Sequence, residues 1–274
     1  MIRRSFLCIV AGMAAGAVFA PSLLWRQSAA VAAEARDDWA VKASGGLWLA
    51  YVITGDPALD ETSRAGLEGL RQTLARRTVT EPLGVLGLDP ERDDLAFFPL
   101  LYWPVGPVSA PLGPAARSRL NTFISRGGTI IFDTGVATAT GTGAGTTGSG
   151  ALRSLTQGLN IPPLMPIPTD HVLSKAFYLL REFPGRQPTS ELWVEAGDDP
   201  GRDGVSAVII GDGDWAAAWA VDDTGTPLHA VIPGGERQRE MAYRFGVNLV
   251  IYALTGNYKA DQVHVPAILE RLGQ

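Results

Sequence analysis

The sequence predicts an α/β fold, a mainly parallel sheet with helices on both faces. Three observations carry this. Residues 47–54, 97–103, 129–133 and 205–210 are nearly continuous apolar runs instead of alternating ones, the mark of strands covered on both faces. Segments with helical spacing separate the first three runs, giving the strand, helix, strand rhythm of parallel sheets. The runs also end in turn residues, Gly55-Asp56-Pro57 after the first and Asp133-Thr134-Gly135 after the third.

Each element follows in order. Gly46 to Gly55 reads as a buried first strand, after a short polar lead-in at 34–46. Leu59 to Thr78 reads as a helix, because Leu67, Leu70 and Leu74 repeat at three and four. Asp60 or Thr62 is available as N-cap, and Arg71, Arg76 and Arg77 crowd the C-terminal half, where the helix dipole favours cations. Gly84–Leu88 reads as a short strand and Phe97–Val105 as a strong one, bounded by prolines. Pro114–Ser125 reads as a helix with Pro114 in its first turn and Leu120, Phe123 and Ile124 facing inward. Arg126-Gly127-Gly128 stops it before the strand Thr129–Asp133. Residues 135–150 contain only Gly, Thr, Ala, Val and Ser and read as a flexible loop, a linker or a flap over a site. The loop has no lysine, so it is no phosphate-binding loop. Helix signals resume at Ala151–Leu159, and Ile161–Pro168 is broken by prolines. The Asp170–Leu180 segment follows, with His171 placed to cap a helix. Leu192–Glu195 and Val205–Ile210 read as strands. Trp215–Val221, a turn at Asp222–Pro227 and Leu228–Ile232 read as a hairpin, though Ala216-Ala217-Ala218 keeps a helical alternative open. Helices near 238–253 and 265–272 close the chain, with Met241, Phe245, Asn248, Leu249 and Tyr252 inside. Arg237, Arg239 and Arg244 read as a solvated helix face, and Trp215 and Trp219 as core.

The N-terminus carries an address. Arg3-Arg4-Ser5-Phe6-Leu7 precedes an Ala/Gly-rich apolar run to Ala20 and small residues at Ala29–Ala33, which looks like a twin-arginine export signal with an A-x-A-like cleavage region. The expected organisation is a signal peptide at 1–33 and one domain at 34–274, resident in the periplasm. The alternative is an inner-membrane anchor facing the periplasm, since Leu7–Leu24 is nearly long enough to span, though Pro21 and its glycines weaken it. The single cysteine, Cys8, lies in this segment. A cleaved chain would have no disulfide, cysteine nucleophile or thiolate ligand. The formal charge of −5 would fall to −8, because the segment holds Arg3, Arg4 and Arg26 and no acid. Such an acidic chain without basic runs is a poor partner for nucleic acid or anionic lipid. His171, His229 and His264 lack metal-ligand spacing. Neither a metal nor a cofactor is expected.

Three constellations could carry chemistry. Asp133 ends a buried strand at the carboxyl edge, where open α/β sheets bind ligands, and Thr134 opens the turn beyond it. Asp170-His171 could supply a general base. Gly211-Asp212-Gly213-Asp214-Trp215 places two acids in a turn after a strand, but lacks the further ligands of a calcium loop. The bland readings are a turn aspartate, a helix-capping histidine and a polar turn.

Several stretches are together specific: Asp94–Trp103, Arg126–Thr134, Asp170–Leu180, Val208–Trp219 and Met241–Val250. Over residues 46–272 the chain resembles the bacterial domain-of-unknown-function family numbered 4159. The resemblance implies a flavodoxin-like sheet similar to class I glutamine amidotransferases. It also implies an envelope partner related to MoxR-type ATPase and von Willebrand-type systems. Catalytic amidotransferases carry a cysteine on the turn after a central strand, with a histidine and an acid downstream. Phe132-Asp133-Thr134-Gly135 is the corresponding turn here and has no cysteine, which excludes that chemistry.

Two functions follow as expectations. The first is an exported, non-catalytic domain acting in binding or assembly at the cell envelope, with Asp133, Thr134, His171, Asp212 and Asp214 as ligand-binding candidates. The second is a periplasmic hydrolase using Asp133 and His171, metal-assisted or not. The first has Asp133 and His171 bordering one cleft, roofed by the 135–150 loop, and positioning a ligand. Within hydrogen-bond or one-water reach in an open cleft, the two would favour the enzyme; separation or burial would favour the binding domain.

Overall fold

The computed structural model describes residues 45–106, 111–135, 146–189, 191–197 and 204–272, with the backbone alone for 146–147 and 255–272. The signal at 1–33 and most of the 135–150 loop lie outside the described residues. The strands are β1 (Trp48–Val52), β2 (Gly84–Leu88), β3 (Leu100–Pro104), β4 (Thr129–Asp133), β5 (Leu164–Pro166), β6 (Trp193–Glu195) and β7 (Val208–Gly211). The helices are α1 (Pro57–Arg77), α2 (Pro114–Ser125), α3 (Thr146–Leu155), α4 (Trp215–Trp219) and α5 (Gly235–Leu272). Short 3-10 turns occur at Leu95–Phe97 and Val172–Lys175.

The seven strands form one mixed sheet in the order β2-β1-β3-β4-β7-β6-β5. The first five are parallel neighbours, while β6 and β5 continue the sheet antiparallel. The four apolar runs are thus β1, β3, β4 and β7, side by side as their continuous burial requires. On one face Tyr102, Ile131 and Ile209 join a core with Leu67, Leu70, Trp219 and Phe245. On the other, Trp103 lies 5.4 Å from Phe132 between ring centroids, and shares a cavity wall with Ala116 of α2 and Leu155 of α3.

The first crossover shows how local chemistry sets an element. Asp56, not Asp60 or Thr62, caps α1, its carboxylate accepting from the N–H of Ala58 at 2.9 Å and of Leu59 at 3.4 Å, with Pro57 in the first turn. Asp60 instead accepts from Thr54 N at 2.8 Å and Gly55 N at 3.2 Å, which pins the β1–α1 turn. Further along, Gly66 and Gly69 touch the backbone carbonyls of Ala216 and Trp219. Any side chain at either position would separate α1 from α4.

Four expectations need correction. Residues 215–219 form α4, and a lone bridge, Val221 with Pro227, replaces the hairpin. Helical spacing stacks Trp215 and Trp219 on one face; their indoles donate to Phe183 O at 3.0 Å and Ala242 O at 2.8 Å. Arg239 is no solvated residue: it is buried, donating to Ala218 O at 2.8 Å and His229 O at 2.6 Å. It thereby satisfies a terminal carbonyl of α4. Residues 146–150 belong to α3 rather than to the loop. The C-terminal segment is one helix instead of two. Beyond the Val172–Lys175 turn, Asn248 holds the 173–178 backbone, accepting from Phe177 N and Tyr178 N and donating to Leu173 O and Tyr178 O.

Candidate functional site

β4 and β7 end together, Asp133 opposite Gly211, so the turns that follow them meet at the carboxyl edge. Asp133 is fully buried there. Tyr102 Oη donates to its Oδ2 at 2.6 Å and Trp215 N at 2.7 Å, while Gly135 N and Asp214 N each donate to Oδ1 at 3.0 Å. These four donors favour the ionised form. Burial, and then the nearby Asp214, oppose ionisation and raise its pKa to about 7. Burial likewise pushes the Tyr102 phenol well up. Two of the donors are the first N–H groups of α4, which have no intrahelical acceptor. Gly135 is a close-approach glycine, because a Cβ there would strike the backbone of Asp212 and Asp214. Asp133 is therefore the clamp that fixes the two turns.

The accessible chemistry lies one residue beyond the clamp. Asp214 is the one non-glycine residue with positive φ among the described residues, at φ 53° and ψ 52°, a conformation that aspartate tolerates better than most residues. Arg186 Nε donates to its Oδ2 at 2.5 Å. Burial raises the Asp214 pKa against the pull of Arg186 and His229, and burial lowers that of His229 against the pull of Asp214. Arg186, Asp214 and His229 line a cavity of about 210 Å³ with Thr62 and Ser63 of α1 and Tyr102 of β3. Ser63 is 1% exposed, and its hydroxyl has no hydrogen-bond partner among the described residues. Leu59 also lines a second cavity, of about 380 Å³, beside Asp56, Asp89, Glu91 and Trp103.

The five candidates do not assemble as a group. Asp133, Thr134, Asp212 and Asp214 share the paired turns; Thr134 donates from N and Oγ1 to Gly211 O at 2.8 and 3.1 Å. His171 is elsewhere. It lines a different cavity, of about 350 Å³, with Asp170, Glu195 and Ser206. Ser206 precedes β7, and its carbonyl accepts from Thr129 at the start of β4. That cavity opens at the amino edge, whereas Asp133 ends β4 at the carboxyl edge. His171 Nδ1 caps the 3-10 turn by accepting from Leu173 N at 3.2 Å. The shared cleft expected of Asp133 and His171 is not formed: β5, antiparallel to β6, runs parallel to β7 toward the carboxyl edge, and the 168–171 segment beyond it turns back, so that the His171 ring lies 5.7 Å from that of Tyr252, whose hydroxyl accepts from Ser206 N. Arg186, His229 and Ser63 were not legible as site residues. They come from three segments brought together only by α1 and α4 packing around the turn. Among the described residues no group of three or more His, Cys, Asp or Glu could hold a metal ion, and no helix is long and apolar enough to cross a membrane.

A family model described as a domain of unknown function, DUF4159, matches residues 48–254 of this chain. No curated protein matches it.

Proposed function

The chain belongs to the DUF4159 family, and on that premise we propose that it is an exported, non-catalytic binding domain of the cell envelope. Its ligand site is the carboxyl-edge cavity of Arg186, Asp214, His229 and Ser63. The observation that carries this reading is the fate of Asp133. Its carboxylate is sealed from solvent and spent on four structural donors, so it is in no position to activate water. The cavity above it keeps polar groups of both kinds that have no partner among the described residues, which is what a ligand needs. The five parallel strands, numbered among themselves, stand in the order 2-1-3-4-5, which supports the flavodoxin-like reading and its amidotransferase-like relatives. The Arg3-Arg4 motif supports twin-arginine export to the periplasm, and an uncleaved signal would leave the domain anchored to the inner membrane. The proposed context is assembly with an envelope protein of the MoxR and von Willebrand-type systems.

The test is a thermal-shift screen of the protein against sugars, organic acids, amines, nucleotides and amino acids, with Ser63→Ala beside it. At least one class should raise Tm in the wild type and raise it less in the variant. If no class does so, the cavity is not a binding site and the reading fails.

A further inference from the structure

We infer that the Arg186–Asp214 cavity takes a small free α-amino acid, its carboxylate on the Nη edge of Arg186 and the Ser63 hydroxyl, and its ammonium on Asp214 Oδ1. This rests on the binding-domain reading above and names the ligand of that site.

The inventory of unsatisfied groups carries the inference. Arg186 uses Nε on Asp214, and neither Nη has an acceptor among the described residues. A guanidinium fork with a free edge is suited to a carboxylate, which it can meet with two parallel hydrogen bonds. Ser63, a residue of the wall of the same cavity, adds a hydroxyl that is buried and without a partner among the described residues. A buried polar group of this kind costs free energy unless something completes it. On the acceptor side, Asp214 Oδ2 is engaged by Arg186 and Oδ1 has no donor among the described residues. The cavity therefore offers two donor groups and one charged acceptor, with the His229 ring as a further polar group.

Charge decides between ligand classes. One guanidinium faces Asp214, and Asp133 lies directly behind that residue, bonded to its N–H. A simple anion would add an uncompensated negative charge beside the Arg186–Asp214 ion pair. A simple cation would face the free edge of Arg186. A zwitterion adds no net charge and meets both groups. Size agrees: about 210 Å³ is room for roughly seven waters at ~30 Å³ each. That accommodates an amino acid of the size of glycine, alanine or serine, and it is below the usual volume of a drug-sized site.

The experiment is calorimetric titration of the full chain with glycine, L-alanine and D-alanine, against acetate and ethylamine as the two halves of the ligand. At least one amino acid should bind about tenfold or more tightly than either half. Ser63→Ala should weaken that binding by about tenfold. Because the hydroxyl has no partner among the described residues and its burial costs free energy, this variant should match or exceed the wild-type Tm, which separates ligand loss from misfolding. Arg186→Gln, which leaves Asp214 buried without its cation, is the harsher variant and is read only if its Tm holds. Equal binding of acetate or ethylamine overturns the zwitterion, as does Ser63→Ala binding alanine unchanged. A different class from the screen, lost in Ser63→Ala, would also overturn this assignment while leaving the binding-domain reading intact. Silence from every class overturns both.

Discussion

Asp133 shows how a residue at the carboxyl edge can be chemically conspicuous and structurally occupied. Its two oxygens collect the N–H groups of Gly135, Asp214 and Trp215 and the Tyr102 hydroxyl. Near pH 5 the folded carboxyl keeps one proton; asparagine has the same shape but puts two amide hydrogens where the carboxyl has one, so more of these donors lose their acceptor. Asp133→Asn should therefore destabilise the fold by about 2–3 kcal/mol near pH 5, the cost of buried groups losing their partners. Urea denaturation with an unchanged m-value measures it. A loss below about 0.5 kcal/mol would show that the clamp is not what holds the turns. The residue types and the strand end were legible in the sequence. The four donors were not, because three of them, Tyr102 Oη and the N–H groups of Asp214 and Trp215, come from segments distant in sequence.

The α1–α4 pair carries the same lesson at the scale of elements. Leucine spacing predicts α1, but the side that must stay bare is set by its partner. Gly66 lies against the backbone of Ala216, which cannot move aside as a flexible side chain could. In an open helix interior, glycine to alanine gains about 0.5–1 kcal/mol. Gly150 in α3 has nothing near its missing Cβ, so Gly150→Ala should gain roughly that amount. Gly66→Ala should instead lose about 2–3 kcal/mol through overpacking. Paired thermal and urea unfolding of the two variants decides it, and equal signs would refute the close packing. The same packing explains why 215–219 is a helix. A strand would place Trp215 and Trp219 on one face but would not bring their indoles to Phe183 O and Ala242 O.

The whole molecule integrates these buried charges into its pH response. Asp133 is raised to about 7 by burial and by Asp214, so the folded state keeps a proton that the unfolded chain releases near the ordinary carboxylate pKa of about 4. Its contribution to stability is complete below that value and is lost as pH rises through about 7. Asp214 is raised too and acts in the same direction. His229, lowered by burial, acts oppositely, withdrawing stability as pH falls below its unfolded value. The clean measurement is therefore the difference between wild type and Asp133→Asn, in which position 133 no longer titrates. The penalty of that substitution should be larger at pH 5 than at pH 8. A penalty independent of pH would mean that Asp133 does not take up a proton in this range.

The sequence by itself determined the α/β class, the four central strands and the two main crossover helices. Continuous apolar runs and leucine spacing are local consequences of burial, and they survive in one dimension. It also determined that thiol chemistry is confined to Cys8, which is a matter of inventory. Only the tertiary structure decided that Asp133 is a clamp, that His171 faces the amino edge, and that Arg239 is buried beneath α4. Only it assembled Ser63, Arg186, Asp214 and His229 around one cavity. These residues stand far apart along the chain, and no periodicity relates them. What joins them is the register of β4 against β7 and the close approach of α1 to α4. Both are set by long-range packing, which leaves no trace in the local sequence.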